Sequence, residues 1–160
     1  QKYRHEHNKD PAWFKHEKHI LICSWSGRPI FTRYGDETEL AAYLAVVSAI
    51  ISNFQRANDT VRSVIAGQHK FVFLTCGPIY LVAISRTSES VKQLVVQLTY
   101  IHSQIISILT GSVHKVLEQS PQYDIRNLMG GTENLISDLI DDCDRSPAFL
   151  LDAIPCLRMD

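Results

Sequence analysis

The stretch LAAYLAVVSAIISNFQ, residues 40–55, decides the fold of this 160-residue chain, and QLVVQLTYIHSQIISILTGSVH, residues 93–114, shares its pattern. Neither stretch contains Asp, Glu, Lys or Arg. In the first stretch, apolar residues recur at steps of four and three, which is the spacing of a stripe along one side of an α-helix. We expect that stripe to face the core, and its members are Leu40, Leu44, Val47, Ile51 and Phe54. Both stretches are therefore predicted to be long helices.

The other side of the first helix is also uncharged. It carries small and apolar residues: Ala41, Ala42, Ala45, Val46, Ser48, Ala49 and Ile50. A helix that is apolar nearly all round buries both of its sides. Because a domain of this size has one sheet to cover one side, a second protein or the chain's own tail must cover the other, and we expect a second protein. The residues expected at that contact are Leu40, Tyr43, Leu44, Val47, Ile50, Ile51 and Phe54.

Length and composition are those of one globular domain, since 45% of the residues are hydrophobic. Sixteen basic and 17 acidic residues leave a net charge of −1, which argues against binding to nucleic acid or to an acidic membrane surface. The second uncharged stretch is long enough to cross a membrane, but Gln93, Gln97 and His102 would be costly in lipid, so no span is predicted. The chain begins at Gln1 without a signal peptide, and we expect neighbouring domains.

Five strands are predicted around the two helices. The first begins at His19, and the others lie at residues 30–33, 61–66, 69–75 and 79–86. Turn residues 26–29 make a hairpin of the first two strands. The last two strands contain continuous apolar runs, so we expect them at the centre of the sheet with both faces largely covered. The order strand, strand, helix, three strands, helix, helix predicts an α/β fold of the α+β sandwich type, a five-stranded antiparallel sheet between helices.

Helix ends and the last helix follow from local chemistry. Asp36 is expected to cap the first long helix and Ser88 the second, and Gly111 is expected to interrupt the second. A last helix is predicted at residues 133–144. Its inward residues are expected to be Leu135, Ile136, Leu139 and Ile140, and its acidic residues Asp138, Asp141, Asp142 and Asp144 are interpreted as a solvated face. Residues 1–17 form a polar arm that we expect to dock through Trp13 and Phe14.

Motifs that carry covalent chemistry are missing from the sequence. Neither of the glycine-rich phosphate-binding patterns occurs, and no serine lies in a nucleophile elbow. Pairs of histidines at residues 5 and 7 and at residues 16 and 19 lack the further ligands that a metal site needs. The four cysteines show no paired spacing and are interpreted as reduced thiols. We therefore predict no cofactor, no metal and no enzyme active site.

Interaction chemistry is concentrated near the hairpin, where Trp25, Arg28, Arg33 and Tyr34 lie. Trp, Tyr and Arg are the residue types that dominate contact energies at protein interfaces. The alternative is that Trp25 folds onto the sheet and the two arginines are solvated. The sequence does not decide between these two arrangements.

Four ordered motifs resemble the first longin domain of the SAND family of vacuolar fusion proteins, also called Mon proteins. They are HILICSWSGRPIFTRYGDE (residues 19–37), GPIYLVAISRT (77–87), QIISILT (104–110), and YDIRNL (123–128) followed by GGTE (130–133). The resemblance extends over roughly residues 19–157. We therefore expect a polar arm at residues 1–17, a longin domain at 18–157, and the start of a linker to further domains at 158–160.

The resemblance also implies a function. By this resemblance, the chain is expected to be a subunit that pairs with a Ccz-type longin protein. The first longin domains of the two subunits then pack together and form a platform that opens a late-endosomal Rab GTPase. This chain is then expected to be part of a guanine-nucleotide exchange factor, cytoplasmic and peripheral on the late endosome, vacuole or lysosome, acting in endosome maturation, fusion and autophagy. The GTPase contact is expected near Trp25, Arg28, Tyr34, Asp36 and Glu37. The alternative is a longin adaptor or tether without exchange activity.

Overall fold

The computed structural model describes residues 11–24, 27–35, 40–57, 60–77, 79–119, 131–146 and 148, without the side chains of residues 55 and 110–119. The helices are α1 (Pro11–Lys15), α2 (Ala41–Arg56), α3 (Val91–Gln119) and α4 (Glu133–Arg145). The strands are β1 (Lys18–Ser24), β2 (Pro29–Thr32), β3 (Ser63–Ala66), β4 (His69–Cys76) and β5 (Ile79–Ser85). Apart from α1, this is the predicted order of elements.

The five strands form one antiparallel sheet in the order β2-β1-β5-β4-β3. β5 is the middle strand, as expected, and its register with β1 pairs Leu81 with Ile22 and Ala83 with Ile20. β5 is buried at six of its seven residues, and in β4 only His69 and Thr75 are exposed, so the expectation that both strands are largely covered is confirmed.

Side chains of the sheet alternate between two core layers, as the period of a strand requires. Ile20, Ile22 and Leu81 pack with residues of α3 and α4 on one face. Leu21, Val82 and their neighbours pack with α2 on the opposite face. The sheet therefore lies between α2 on one side and α3 with α4 on the other, and the predicted α+β sandwich is confirmed.

α2 buries the inward stripe that its sequence predicts, although the stripe is one residue shorter. Leu40, Leu44, Val47 and Ile51 are buried against the sheet. Phe54 is 39% exposed, so the buried stripe ends at Ile51, in the penultimate turn of the helix. Sequence spacing fixes the side on which a residue lies, but it does not fix how far along the helix the sheet extends.

The cap of α3 is Ser90 rather than Ser88. The backbone N–H of Gln93 donates to Ser90 Oγ at 3.2 Å, and the N–H of Ser90 donates to Gln93 Oε1 at 2.6 Å, which is a capping box. The backbone of α3 then continues through Gly111 to Gln119, so the predicted interruption was wrong. Glycine in a helix costs about 1 kcal/mol but keeps its N–H, and a long packed helix tolerates that cost.

α4 faces the core with Ile136, Ile140 and Cys143, which recur at steps of four and three. Leu135 is 48% exposed, so its predicted inward position was wrong. A residue next to Ile136 in sequence is rotated by about 100° around the helix axis, which turns its side chain to the flank.

The β1–β2 turn lies against the middle of α2. Gly27 has a φ of +77°, and a Cβ at this residue would come within 2.7 Å of Ser48 Oγ. The N–H of Gly27 donates to the carbonyl of Ser24 at 2.8 Å, which closes the turn. Ser48 Oγ is buried and has no hydrogen-bond partner among the described residues. The hairpin is therefore positioned on α2 by a contact that only glycine allows.

We predict that Gly27→Ala lowers the free energy of unfolding by about 2–4 kcal/mol, because it combines a left-handed backbone with a clash. Gly67→Ala is the matched control, since Gly67 has a φ of +60° but nothing within 4 Å of its added Cβ. In this control the free energy of unfolding should fall only by the cost of the left-handed backbone conformation, about 1–2 kcal/mol. Urea unfolding of both variants measures the difference. Equal losses would show that the hairpin does not press on α2.

Candidate interaction surface

The outward side of α2 is apolar and exposed. Tyr43 is 49% exposed, Val46 is 61% exposed, and Ile50 is half-buried. Together with Phe54 they form a second stripe at steps of three, four and four, which we call the outer stripe. Arg56 in the last turn is the only charged residue of α2. Within the described part of the chain, α2 thus presents an apolar side that its own sheet does not cover.

Four of the seven residues expected at a partner contact face the other way. Leu40, Leu44, Val47 and Ile51 are packed into this chain's own core and support the helix from beneath. The remaining three, Tyr43, Ile50 and Phe54, belong to the outer stripe. Val46, the most exposed member, was placed outward by its spacing but was not included among the expected contact residues. The 3-4-4 spacing of the outer stripe is the sequence signal that separates the two sets.

Of the residues expected at a GTPase contact, Arg28 is exposed on the hairpin turn. Its N–H donates to Ser24 Oγ at 3.2 Å, and its carbonyl accepts from the N–H of Ser24 at 2.9 Å. Because Gly27 contacts Ser48, which lies about 160° around the helix from Val46, this turn packs on the flank of α2 opposite the outer stripe. Trp25, Asp36 and Glu37 lie outside the described residues, as does the expected capping role of Asp36.

Tyr34, the fifth of these residues, is covered by α1 and by His16, which follows it. The indole Nε1 of Trp13 donates to the carbonyl of Tyr34 at 3.3 Å. The ring of His16 stacks on the ring of Tyr34 with centroids 3.6 Å apart. Tyr34 is consequently 9% exposed. A partner could reach its ring only after α1 moved.

α1 is attached to the body of the domain through Trp13 and Arg86. Trp13 is buried, whereas Phe14 is 54% exposed, so the arm docks through Trp13 and not through Phe14. Arg86 Nη2 donates to the carbonyls of Phe14 at 2.7 Å and of His16 at 3.3 Å. A cation at the carboxyl end of a helix satisfies carbonyls that have no partner within the helix. This contact holds α1 in a fixed position.

His19 lies on buried β1 beneath this arm, with its ring 4.2 Å from that of Trp13. Burial, and secondarily the nearby charges of His16 and Arg86, lower the pKa of His19 to about 4. His19 is therefore neutral at physiological pH. Its ring is 6.1 Å from that of His16, and the described residues contain no group of three or more His, Cys, Asp or Glu side chains that could hold a metal.

Arg33 is engaged within the chain. Its side chain is 9% exposed, Nη1 donates to Asp144 Oδ2 at 2.7 Å, and Nη2 donates to Asp141 Oδ1 at 2.7 Å. Burial acts to lower the pKa of Arg33, but the hydrogen bond and charge of Asp144 outweigh it and raise that pKa. Asp141 and Asp144 are thus ion-paired instead of solvated, because α4 packs beside the end of β2. Neither alternative for Arg33, partner contact or solvated side chain, holds.

Lys18 continues the same network below the surface. Its Nζ pairs with Glu89 at 3.0 Å, pairs also with Asp144, and donates to Gln97 Oε1 at 3.0 Å. Burial acts to raise the pKa of Glu89, but hydrogen bonds from Thr87 and Gln97 and the charge of Lys18 outweigh it and lower that pKa. Two cavities of about 200 and 500 Å³ flank this network and share Glu89 and Asp144 as lining residues. The charged side chains of this network already pair with one another, which favours a structural role for the network.

Three cysteines fall within the described residues and all are free thiols. Burial raises the pKa of Cys23 to about 12 and that of Cys143 to about 11. Thiols with such pKa values are weak nucleophiles at neutral pH. Cys156 lies outside the described residues.

No helix in the described ranges combines the length and the hydropathy needed to cross a bilayer.

Comparison of the sequence with known proteins identifies the family of this chain. The family model for the first longin domain of FUZ, MON1 and HPS1 matches residues 18–139. The vacuolar fusion protein MON1 homolog of Oryza sativa subsp. japonica is 43% identical over 158 residues, which is 99% of this chain and 28% of that protein. The human vacuolar fusion protein MON1 homolog B is 41% identical over 152 residues, 94% of this chain and 28% of that protein.

A third relative carries the other name of the family. Protein SAND of Takifugu rubripes is 37% identical over 157 residues, 98% of this chain and 30% of that protein. The chain therefore spans less than a third of the length of these relatives. Among solved structures, a chain of a homology model of the full-length AP-3 complex in a stretched open conformation covers 88% of this chain with a TM-score of 0.49 and 12% identity.

We predict that Asp144→Asn lowers the free energy of unfolding by about 1–3 kcal/mol, because it removes the carboxylate that bridges buried Lys18 and Arg33. Asp142→Asn is the matched control, since Asp142 is exposed on the same helix two residues away. This control should change stability by less than about 0.5 kcal/mol. Thermal unfolding at neutral pH measures the stability of both variants. Similar small losses of stability in the two would show that the ion pairs of Asp144 do not hold α4 to the sheet.

Proposed function

This chain belongs to the MON1 family of vacuolar fusion proteins, as its first longin domain, and we propose that it is a subunit of a heterodimeric guanine-nucleotide exchange factor. Its partner in this proposal is a Ccz-type longin protein, and its substrate is a late-endosomal Rab GTPase. The complex would act in endosome maturation, in fusion with the vacuole or lysosome, and in autophagy, from a cytoplasmic position peripheral to the membrane. The family and the longin fold support a role in vesicle trafficking.

The observation that carries the proposal is the outer stripe. An exposed apolar face on a packed helix is a feature of protein interaction sites. Tyr43 supplies the kind of rigid aromatic side chain that anchors interfaces, and Ala42 and Ala49 are small enough to let another backbone approach. The face is held in place by the buried side chains on the opposite side of the same helix. A second longin domain would meet it as a preformed surface.

The hairpin turn supports the location of a GTPase contact. Arg28 is exposed on a turn that packs against α2 on the flank opposite the outer stripe, so a GTPase bound there would leave the outer stripe free for the partner subunit. We propose that Arg28, with Trp25, Asp36 and Glu37, contacts the GTPase, and that the acidic pair binds a lysine of its switch region. Tyr34 would contribute by shaping the chain beneath, since its ring is covered by α1.

Exchange of this kind needs no covalent chemistry. A partner that binds the nucleotide-free conformation of a GTPase more tightly than the nucleotide-bound one lowers the affinity for nucleotide by that same ratio. The requirement is therefore a rigid platform of defined shape. The two-layer core and the ion pairs that hold α4 provide such rigidity.

An adaptor or tether without exchange activity would use the same outer stripe. The two functions differ in the rate at which a Rab GTPase releases fluorescent nucleotide in the presence of the full-length protein and its Ccz-type partner. Acceleration by the complex supports exchange activity. A complex that forms but leaves the release rate unchanged would establish the adaptor function instead.

We predict that Val46→Asp abolishes assembly with the Ccz-type partner and, with it, nucleotide release, because it places a charge in the centre of the outer stripe. Leu135→Asp is the matched control, since Leu135 is similarly exposed on α4. Solution mass and the nucleotide-release rate are measured on the same samples, and this control should change neither.

Replacing both Asp36 and Glu37 by Lys separates the GTPase contact from the contact with the partner subunit. It should slow nucleotide release about tenfold or more while leaving the solution mass of the complex unchanged. An intact complex with Val46→Asp would contradict docking on the outer stripe. An unchanged release rate after the double charge reversal would contradict the proposed GTPase contact.

A further inference from the structure

α1 presents an exposed aromatic side chain on a fixed support. A helix of five residues is not stable by itself, because the cost of its first turn is not recovered. Here Trp13 is inserted into the core beside Tyr34, and Arg86 binds the carbonyls at the end of the helix. Phe14 is therefore held outward in a fixed position, and its side chain remains 54% exposed.

This exposed phenylalanine and Tyr43 of the outer stripe lie against the same ring, that of Trp13. The ring of Trp13 lies edge-on to that of Phe14 at 5.1 Å and stacks with that of Tyr43 at 6.2 Å. Phe14 and Tyr43 are about half exposed, whereas Trp13 between them is buried. A patch of aromatic side chains thus runs from α1 across Trp13 to the first turn of α2.

The charges of the two helices indicate what chemistry would face this patch. Neither α1 nor α2 contains an acidic residue, and their charged side chains are Lys15 and Arg56, near the two ends of the surface. Polar rims of interfaces pair with opposite charges on the partner. A fitting occupant has an apolar centre and acidic residues opposite Lys15 and Arg56.

We propose that α1 is part of the docking surface for the partner longin subunit, with Phe14 and Tyr43 as one aromatic anchor at its amino-terminal end. This inference rests on the proposed function and deepens it, because it assigns a residue outside the longin domain to the same interface. It also gives the amino-terminal arm a role, since Arg86 and Trp13 place Phe14 where the partner can reach it.

The test measures the affinity of the full-length protein for its Ccz-type partner by titration calorimetry. Phe14→Ala should raise the dissociation constant about tenfold, as expected for truncation of an aromatic anchor. Leu135→Ala on α4 is the control for loss of an equally exposed apolar side chain, and it should leave the constant within about twofold. Because Phe14 is exposed, the melting temperature of the Phe14→Ala protein alone should equal that of the unaltered protein.

Several results would overturn the inference. If Phe14→Ala binds with unchanged affinity while Val46→Asp prevents assembly, α1 lies outside the interface and the proposed function stands. If neither variant affects assembly, docking on α2 fails as well. A lowered melting temperature of Phe14→Ala protein without the partner would show that the rest of the chain covers Phe14. A dimer of this chain alone that Phe14→Ala dissociates would assign the patch to self-association.

Discussion

Packing of α2 on the sheet is the constraint from which the rest of the surface follows. Leu44, Val47 and Ile51 are buried against one face of the sheet, and this contact fixes the rotation of the helix about its axis. Once that rotation is fixed, Tyr43, Val46 and their neighbours must point away from the sheet. The domain thus uses half of an apolar helix for its own core and leaves the other half exposed.

The hairpin and the arm both take their positions from α2. Gly27 rests on Ser48 in the middle of the helix, and Trp13 stacks on Tyr43 in its first turn. The hairpin turn and α1 therefore lie on different flanks of α2, since Ser48 is about 160° around the helix from Val46 whereas Tyr43 belongs to the outer stripe. The ion pairs of Arg33 and Lys18 fasten α4 to the sheet and lie next to His16 and Tyr34, with which they line one cavity.

The sequence was sufficient for the elements and the sheet but not for their ends or their long-range pairs. Periodicity predicted both long helices and all five strands, because burial on a flat sheet imposes a regular pattern. It could not choose between Ser88 and Ser90 as the cap of α3, since both are serines before an apolar run, and the deciding signal was Gln93 at the third position after Ser90. Arg33 and Asp144 are 111 positions apart, and no local pattern predicts their pairing.

For similar reasons, only part of the candidate site could be predicted from the sequence. The sequence identified α2 as uncharged on both sides and placed Leu40 and Ile51 inward and Val46 outward, but it also placed Phe54 inward, and only the extent of the sheet shows that Phe54 is exposed. Cover of Tyr34 by His16 and Trp13 was equally inaccessible, because it depends on Arg86 holding a short arm that has no strong helix pattern of its own. Exposure of a surface residue depends on what the rest of the chain leaves uncovered.

Hydroxyl-radical footprinting of the full-length protein, with and without its Ccz-type partner, tests the central claim most directly. Oxidation reports the solvent access of individual side chains, and Tyr43 and Phe54 are exposed enough to react. If another subunit covers α2, oxidation of both should fall several-fold on assembly while that of Leu135 on α4 stays the same. Unchanged oxidation of Tyr43 and Phe54 in a complex of confirmed mass would contradict the account.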